Sequence, residues 1–224
     1  QLTGKELPVV ASLKDYSRVI GTEKSKLIQP LGLQKELQTL GNDGFIIRTM
    51  KSKGNKITVI ASKGENGLLY AVFNLLRNIQ LYVPSSNILR TIQLSSSPFT
   101  FDIKEVPSYK IRILNHWDNL DGTIERGYAG HSLWKWDELP GKLSPRYKEY
   151  ARANASIGIN GTVLNNVNAS PEILSNAYLQ KVKALAEVFR PYGIHVYLSV
   201  NFSSPAALGG LSTSDPLNEG VQQW

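Results

Sequence analysis

The chain has 224 residues, 42% of them hydrophobic, a formal net charge of +7 and no cysteine. That length supports one large domain or two small ones around an ordinary core. The missing Cys excludes disulfides, thiolate metal sites and Cys nucleophiles, and the basic excess, dispersed singly before Glu105 without a Lys/Arg run or aromatic platform, excludes a nucleic-acid site.

No apolar run approaches the roughly 18 residues of a membrane span. The opening QLTGKELPVV has no basic n-region followed by an apolar h-region. Taken in order, residues 1–104 are expected to form a small α/β domain. Arg18–Gly21 is a short strand ending in a Gly-Thr turn, and Ser25–Leu40 carries helical spacing in two pieces broken near Pro30. Phe45–Met50 and Ile57–Ala61 are strands, joined by KSKGNK with Gly-Asn hairpin chemistry. A helix follows over 66–80, with Leu68, Leu69, Val72, Phe73, Leu75, Leu76 and Ile79 as its apolar stripe. Asn87–Phe101, containing SSSP, is a linker with an edge strand, so the domain boundary falls between Leu94 and Tyr109.

The stretch Tyr109–Trp136, YKIRILNHWDNLDGTIERGYAGHSLWKW, organises the second part, residues 105–224. It opens as a strand, with Ile111 and Ile113 on one face and Arg112 and Leu114 on the other. At Asn115 the alternation stops and His116, Trp117, Asp118 and Asn119 follow directly. A strand ending in such a cluster is the rim of a binding site. Ser144-Pro145 then caps a helix to Ser156, Gly161–Leu164 is a strand ending at Asn165-Asn166, and Ser170-Pro171 caps a helix to Arg190. On that helix Leu174, Ala177, Val182, Leu185, Val188 and Phe189 mark the buried side. Gly193 stops it, and Ile194–Val200 is a third strand, ending at Asn201. Strand–helix alternation with short connections predicts a parallel sheet. Polar residues at three successive C-terminal strand ends match the site position of a (β/α)₈ barrel. Such a barrel takes about 250 residues, so residues 109–224 hold only its first three βα units.

Trp117 is the leading site candidate, as a flat apolar wall for a ligand ring, against a core Trp at the barrel mouth. Trp134 and Trp136 either face a ligand or fasten the long loop. Arg126 can fork onto a carboxylate, or pair with Glu125, Asp121 or Asp118. His116 is a hydroxyl-bonding candidate or a structural His; no His spacing here suits a metal. Asp118 is a site carboxylate or a turn residue, and Asn119 belongs to the same rim. Asn165, Asn166 and Asn201 suit hydroxyl recognition, since a carboxamide both donates and accepts, but Asn also caps and turns.

Arg112–Trp136, Asn160–Ala169 (NGTVLNNVNA) and Arg190–Leu217 closely resemble the catalytic barrel of family 67 glycoside hydrolases, the α-glucuronidases. VIGT at Val19–Thr22, GFIIR at Gly44–Arg48 and GLLYAVFNLLRNIQ resemble their N-terminal domain. The resemblance implies an inverting enzyme without metal or organic cofactor. It would remove glucuronic acid, or its 4-O-methyl ether, from xylo-oligosaccharides. It also implies that the catalytic acid and base follow residue 224, that a further strand and helix precede VIGT, and that a homodimeric parent is admissible. From the residues alone, Asp118 or Glu125 would be the first choice for the acid–base pair. A periplasmic or extracellular location is favoured over a cytoplasmic one. Two rivals remain: another barrel glycosidase of hexosaminidase-like layout, and a carbohydrate-binding module without chemistry.

Overall fold

Residues 8–82 and 100–224 are described by a computed structural model, and the chain divides into two units, Gln1–Lys110 and Ile111–Trp224. The linker expected over Asn87–Phe101 lies, up to residue 99, outside the described residues. Both units are mixed α/β.

Among the described residues the first unit is built on four strands: β1 (Arg18–Thr22), β2 (Phe45–Ser52), β3 (Asn55–Ser62) and β4 (Asp102–Glu105). Their order is β1-β3-β2-β4, with β1 parallel to β3 and the other pairs antiparallel. The β2–β3 connection is tighter than KSKGNK implies. Only Lys53 and Gly54 lie outside the ladder, both at positive φ, so Gly54 fills the second position of a primed two-residue turn and Asn55 already pairs with Ser52. Period-2 alternation puts Ile46, Ile57, Val59 and Ala61 on one face, buried with Ile28, Leu33, Leu37 and Leu40. The Ser25–Leu40 helix is reduced to a 3-10 turn at Gln29–Leu31 and a short α1 (Gln34–Gln38), separated by Gly32 at φ 72.

On the other face, α2 (Glu65–Tyr82) lies against β2 and β3. Its fully buried residues are Gly67, Tyr70, Ala71, Asn74, Leu75 and Ile79, while Leu68, Leu69, Val72, Phe73 and Leu76 are half-buried. The buried stripe is thus rotated from the most apolar one, because a glycine and an asparagine occupy the closest approach. Asn74 gives its amide to Glu105 Oε1 at 2.8 Å, which is how a polar residue is tolerated there.

The second unit holds three parallel strands in sequence order: β5 (Ile113–Asn115), β6 (Gly161–Val163) and β7 (His195–Tyr197). All are shorter than the alternation predicts, and Ile111 lies outside β5 and is exposed. Between them run α3 (Pro145–Ser156) and α4 (Asn176–Phe189). Ser144 caps α3 by accepting from Arg146 N, as its Ser-Pro start predicts. Ser170-Pro171 opens only a 3-10 turn, Pro171–Leu174; the chain then extends at Ser175, whose Oγ accepts from Tyr178 N and restarts the helix as α4. That restart changes the buried face: Ala177 is exposed and Tyr178 packs instead, with Leu185 and Phe189 fully buried. After β7 the chain forms a short helix, α5 (Ser204–Gly209), closed by Gly210 at φ 67, and α6 (Glu219–Gln223) follows.

The register fixes which face of this sheet is covered. Thr162 shares a hydrogen bond with Tyr150 of α3, so its row, Leu114–Thr162–Val196, faces the helices. Ile113, Asn115, Val163, His195 and Tyr197 therefore face the opposite side, which no described element of this unit covers. Tyr197 leans over Gly161 there: a Cβ on Gly161 would sit 2.9 Å from the Tyr197 ring. No helix among the described residues is long and apolar enough to cross a membrane.

Candidate functional site at the strand rim

The rim cluster forms where β5 ends. His116 extends the ladder by one bond, donating its backbone N–H to Val163 O at 3.1 Å. Its ring turns toward the helices, where Nε2 and the Tyr150 hydroxyl are 2.8 Å apart and the indole of Trp134 lies 5.1 Å away. Tyr150 continues to Thr162 Oγ1 at 2.9 Å, and burial is the main reason its phenol pKa is raised, so it stays protonated.

Asp118 points inward as well and is only 2% exposed. Its Oδ2 accepts a short bond from the Ser132 hydroxyl, and Ser132 Oγ in turn accepts from Trp134 N at 3.0 Å. His116 Nδ1 is 3.6 Å from Asp118 Oδ1, beyond hydrogen-bond range but close enough for attraction when the imidazole is charged. The Asp118 carbonyl accepts from Asn166 N at 2.8 Å. With 116 and 118 both anchored inward, the extended chain turns Trp117 outward, where it is 39% exposed.

Asn119 closes the turn that follows. Its amide donates to Thr123 Oγ1 at 2.9 Å and to Glu125 O at 2.7 Å, while Glu125 N returns a bond to Trp117 O at 2.9 Å. Asp121 accepts from the Thr123 N–H and hydroxyl, which hold its carboxyl below the usual carboxylate range. Glu125 is held at φ 59, an uncommon conformation for a residue with a Cβ and one often kept at functional sites. Arg126 comes next, exposed and without an ion pair among the described residues, so none of the three carboxylates considered for it is its partner. Tyr128 stands 76% exposed at the tip between Gly127 and Gly130.

The structure uses the remaining candidates differently from one another. Asn165 is buried, donating to Ser199 O at 2.8 Å and accepting from Ser199 N at 2.9 Å, so its carboxamide stitches the end of β6 to the strand beside it. Asn166 Oδ1 accepts from Asn168 N, and Asn201 Oδ1 accepts from Ser203 N and Oγ; both are turn-forming. Trp134 and Trp136 are 1% and 3% exposed and belong to the core with Tyr147, Leu185 and Phe189, so they fasten the loop to the scaffold. Their indole N–H groups are buried without hydrogen-bond partners. A cavity of about 430 Å³ opens within the loop, lined by Asp121, His131, Ser132, Trp134, Lys135 and Trp136 among others. No group of three His, Cys, Asp or Glu among the described residues could hold a metal ion. Ser132 carried no signal in the sequence; a lone serine fourteen residues from Asp118 shows its role only after folding.

The second unit is thus a parallel α/β unit that exposes Trp117 and Arg126 in the chain following the C-terminal end of β5. In fold the chain is similar to a family 115 4-O-methyl-α-glucuronidase with specificity for decorated arabinogalactans, at TM-score 0.54 and 17% identity, over 90% of this chain and 26% of that one.

The chain belongs to glycosyl hydrolase family 67: residues 1–75 match the family's N-terminus and residues 91–224 its middle domain. Its relatives include the probable alpha-glucuronidase A of Aspergillus oryzae, 35% identical over all of this chain and 25% of the relative. The alpha-glucuronidase A of Emericella nidulans is 38% identical over 82% of this chain and 20% of its own length. The chain thus spans about a quarter of the length of the curated relatives it matches.

Proposed function

We propose that this chain is part of an inverting α-glucuronidase that releases glucuronic acid, or its 4-O-methyl ether, from xylo-oligosaccharides. In this reading residues 1–104 are an accessory domain, and 105–224 supply the first three βα units of a (β/α)₈ catalytic barrel. The three parallel strands in sequence order, with helices on one face and the row carrying Ile113, Val163 and Tyr197 left uncovered by this unit on the other, support the barrel. Inversion needs a protonated carboxyl at the leaving oxygen and a carboxylate activating water, roughly 6.5–9.5 Å apart. Asp118 is buried on Ser132 and Asp121 is engaged by Thr123, so we assign the acid and base to other barrel strands.

The observation that carries the reading is Trp117, exposed between two inward-anchored neighbours at the rim. A sugar ring packs its axial C–H groups on such a face. Arg126, exposed, without an ion pair among the described residues and directly after the residue whose N–H bonds Trp117 O, offers two parallel N–H donors to a uronic carboxylate. The test is release of glucuronic acid from aldouronic oligosaccharides by the full-length enzyme and by its Trp117→Ala variant. The full-length enzyme is expected to release it, and the variant to lose about 10²-fold in kcat/KM with its circular dichroism unchanged. Unchanged kinetics would retire Trp117, and no release from any glucuronoxylan fragment would retire the activity.

A further inference from the structure

We propose that Asp118 and Ser132 form a latch that sets the Trp117 ring at the rim, acting as positioning residues and not as sugar contacts. This rests on the reading of Trp117 as the sugar platform. Asp118 is 2% exposed, so no hydroxyl of a bound sugar reaches its carboxylate without opening the loop. Its bonds run to protein groups: Ser132 Oγ on the side chain and Asn166 N on the carbonyl. Ser132 is itself tied to the backbone of Trp134, a core residue. The latch therefore connects the end of β5 to the returning limb of the loop and to the end of β6. His116, one residue before Trp117, is anchored through Tyr150 to α3.

Anchors on both sides remove the freedom of the intervening backbone, and the Glu125 N bond to Trp117 O fixes the remaining direction. A platform held this way loses little entropy when a sugar stacks on it, which is the advantage of a preorganised site. Releasing the latch would leave Trp117 present but wandering, and binding would suffer before chemistry.

The experiment is a double-mutant cycle in the full-length enzyme, comparing wild type, Trp117→Ala, Ser132→Ala and the double variant on aldouronic oligosaccharides. Ser132→Ala alone is expected to raise KM about tenfold with kcat changed less than about twofold, and to cost less than about twofold further when Trp117 is already Ala. Asp118→Asn keeps a carbonyl that accepts from Ser132, so it is expected to retain far more activity than Asp118→Ala. Equal losses from Ser132→Ala in both backgrounds would overturn the latch, since they would mark a general disturbance. So would wild-type kinetics in Ser132→Ala. An unimpaired Trp117→Ala enzyme removes the platform reading itself, and the latch falls with it; an impaired one with additive losses removes the latch alone. Should Ser132→Ala fail to fold, the comparison of Asp118→Asn with Asp118→Ala in the two Trp117 backgrounds decides on the same terms.

Discussion

Gly67 has no Cβ because there is no room for one. A methyl there would lie 2.2 Å from Ser62 Oγ and 2.4 Å from the Gly44 carbonyl oxygen, and the second of these is backbone that cannot swing aside. Gly67→Ala should push α2 off the sheet and cost about 3 kcal/mol, in the range of overpacked cores. At Gly161 the nearest atoms are the Tyr197 ring at 2.9 Å and Ile113 Cγ1 at 3.1 Å, both side chains on the uncovered face. Gly161→Ala should therefore cost only about 1 kcal/mol, since the ring can tilt away. Chemical denaturation of the two variants checks the ranking, and a Gly161 variant as unstable as the Gly67 one would contradict it. Neither effect was visible in the sequence, where Gly67 is only an unfavourable residue near a helix start. The rim was different. Trp117 stood out because an alternating strand breaks into a polar–aromatic cluster there, and the folded rim exposes it. Asp118 and Asn165 belonged to the same clusters, but burial and pairing come from residues far away, Ser132 and Ser199, and adjacency along the chain does not encode them.

At the scale of elements, Arg48 ties the first unit together across three pieces of chain. From β2 it donates two bonds to Glu36 of α1, at 2.7 and 3.1 Å, and one to Asp102 of β4 at 2.9 Å. The Arg48 hydrogen bonds are the main cause holding the Glu36 carboxyl below its usual value. A depressed folded-state pKa gives stability that is complete above the ordinary glutamate value of about 4.3 and is lost as pH falls through the lower folded value. Both partners are partly solvated, so screening limits the effect to about 1 kcal/mol. Glu36→Gln should be less stable than the parent at pH 7, with the gap closing below about pH 4. A gap that stays constant with pH would show that lost packing, not charge, is responsible. The elements themselves were largely legible: β1, β2, β3, α2 and α3 follow their hydrophobic periods and caps. The start of α4 was not, because Ser170-Pro171 and Ser175-Asn176 are both plausible openings and only packing chooses between them. Ser175→Ala should cost about 1 kcal/mol, typical for loss of an N-cap, when measured beside Ser170→Ala, whose 3-10 turn has less helix to lose.

For the whole molecule, the two sheets differ in how much of their surface is buried. The first has core residues on one face and α2 on the other. Within its own unit, the second is covered by described elements, α3 and α4, on one face only, and the opposite row includes Tyr197, 39% exposed, over strands of three residues each. Short parallel strands gain little from their ladders and depend on burial from both sides. At about 25 cal/mol per Å² of apolar surface, the exposed parts of Ile113, Val163 and Tyr197 on that row forgo about 2 kcal/mol, a noticeable share of what holds a domain of this size. The second unit of the 224-residue chain should therefore open first. Hydrogen exchange read by mass spectrometry is expected to show β5–β7 amides exchanging well before those of β2 and β3, with dye binding that marks exposed apolar surface. If the barrel reading holds, further strands flank these in the full-length protein, and the same β5–β7 amides should there become as protected as those of the first sheet. Equal protection of both sheets in the 224-residue chain would mean that the uncovered face is not a deficit, and the barrel reading would lose its main physical support.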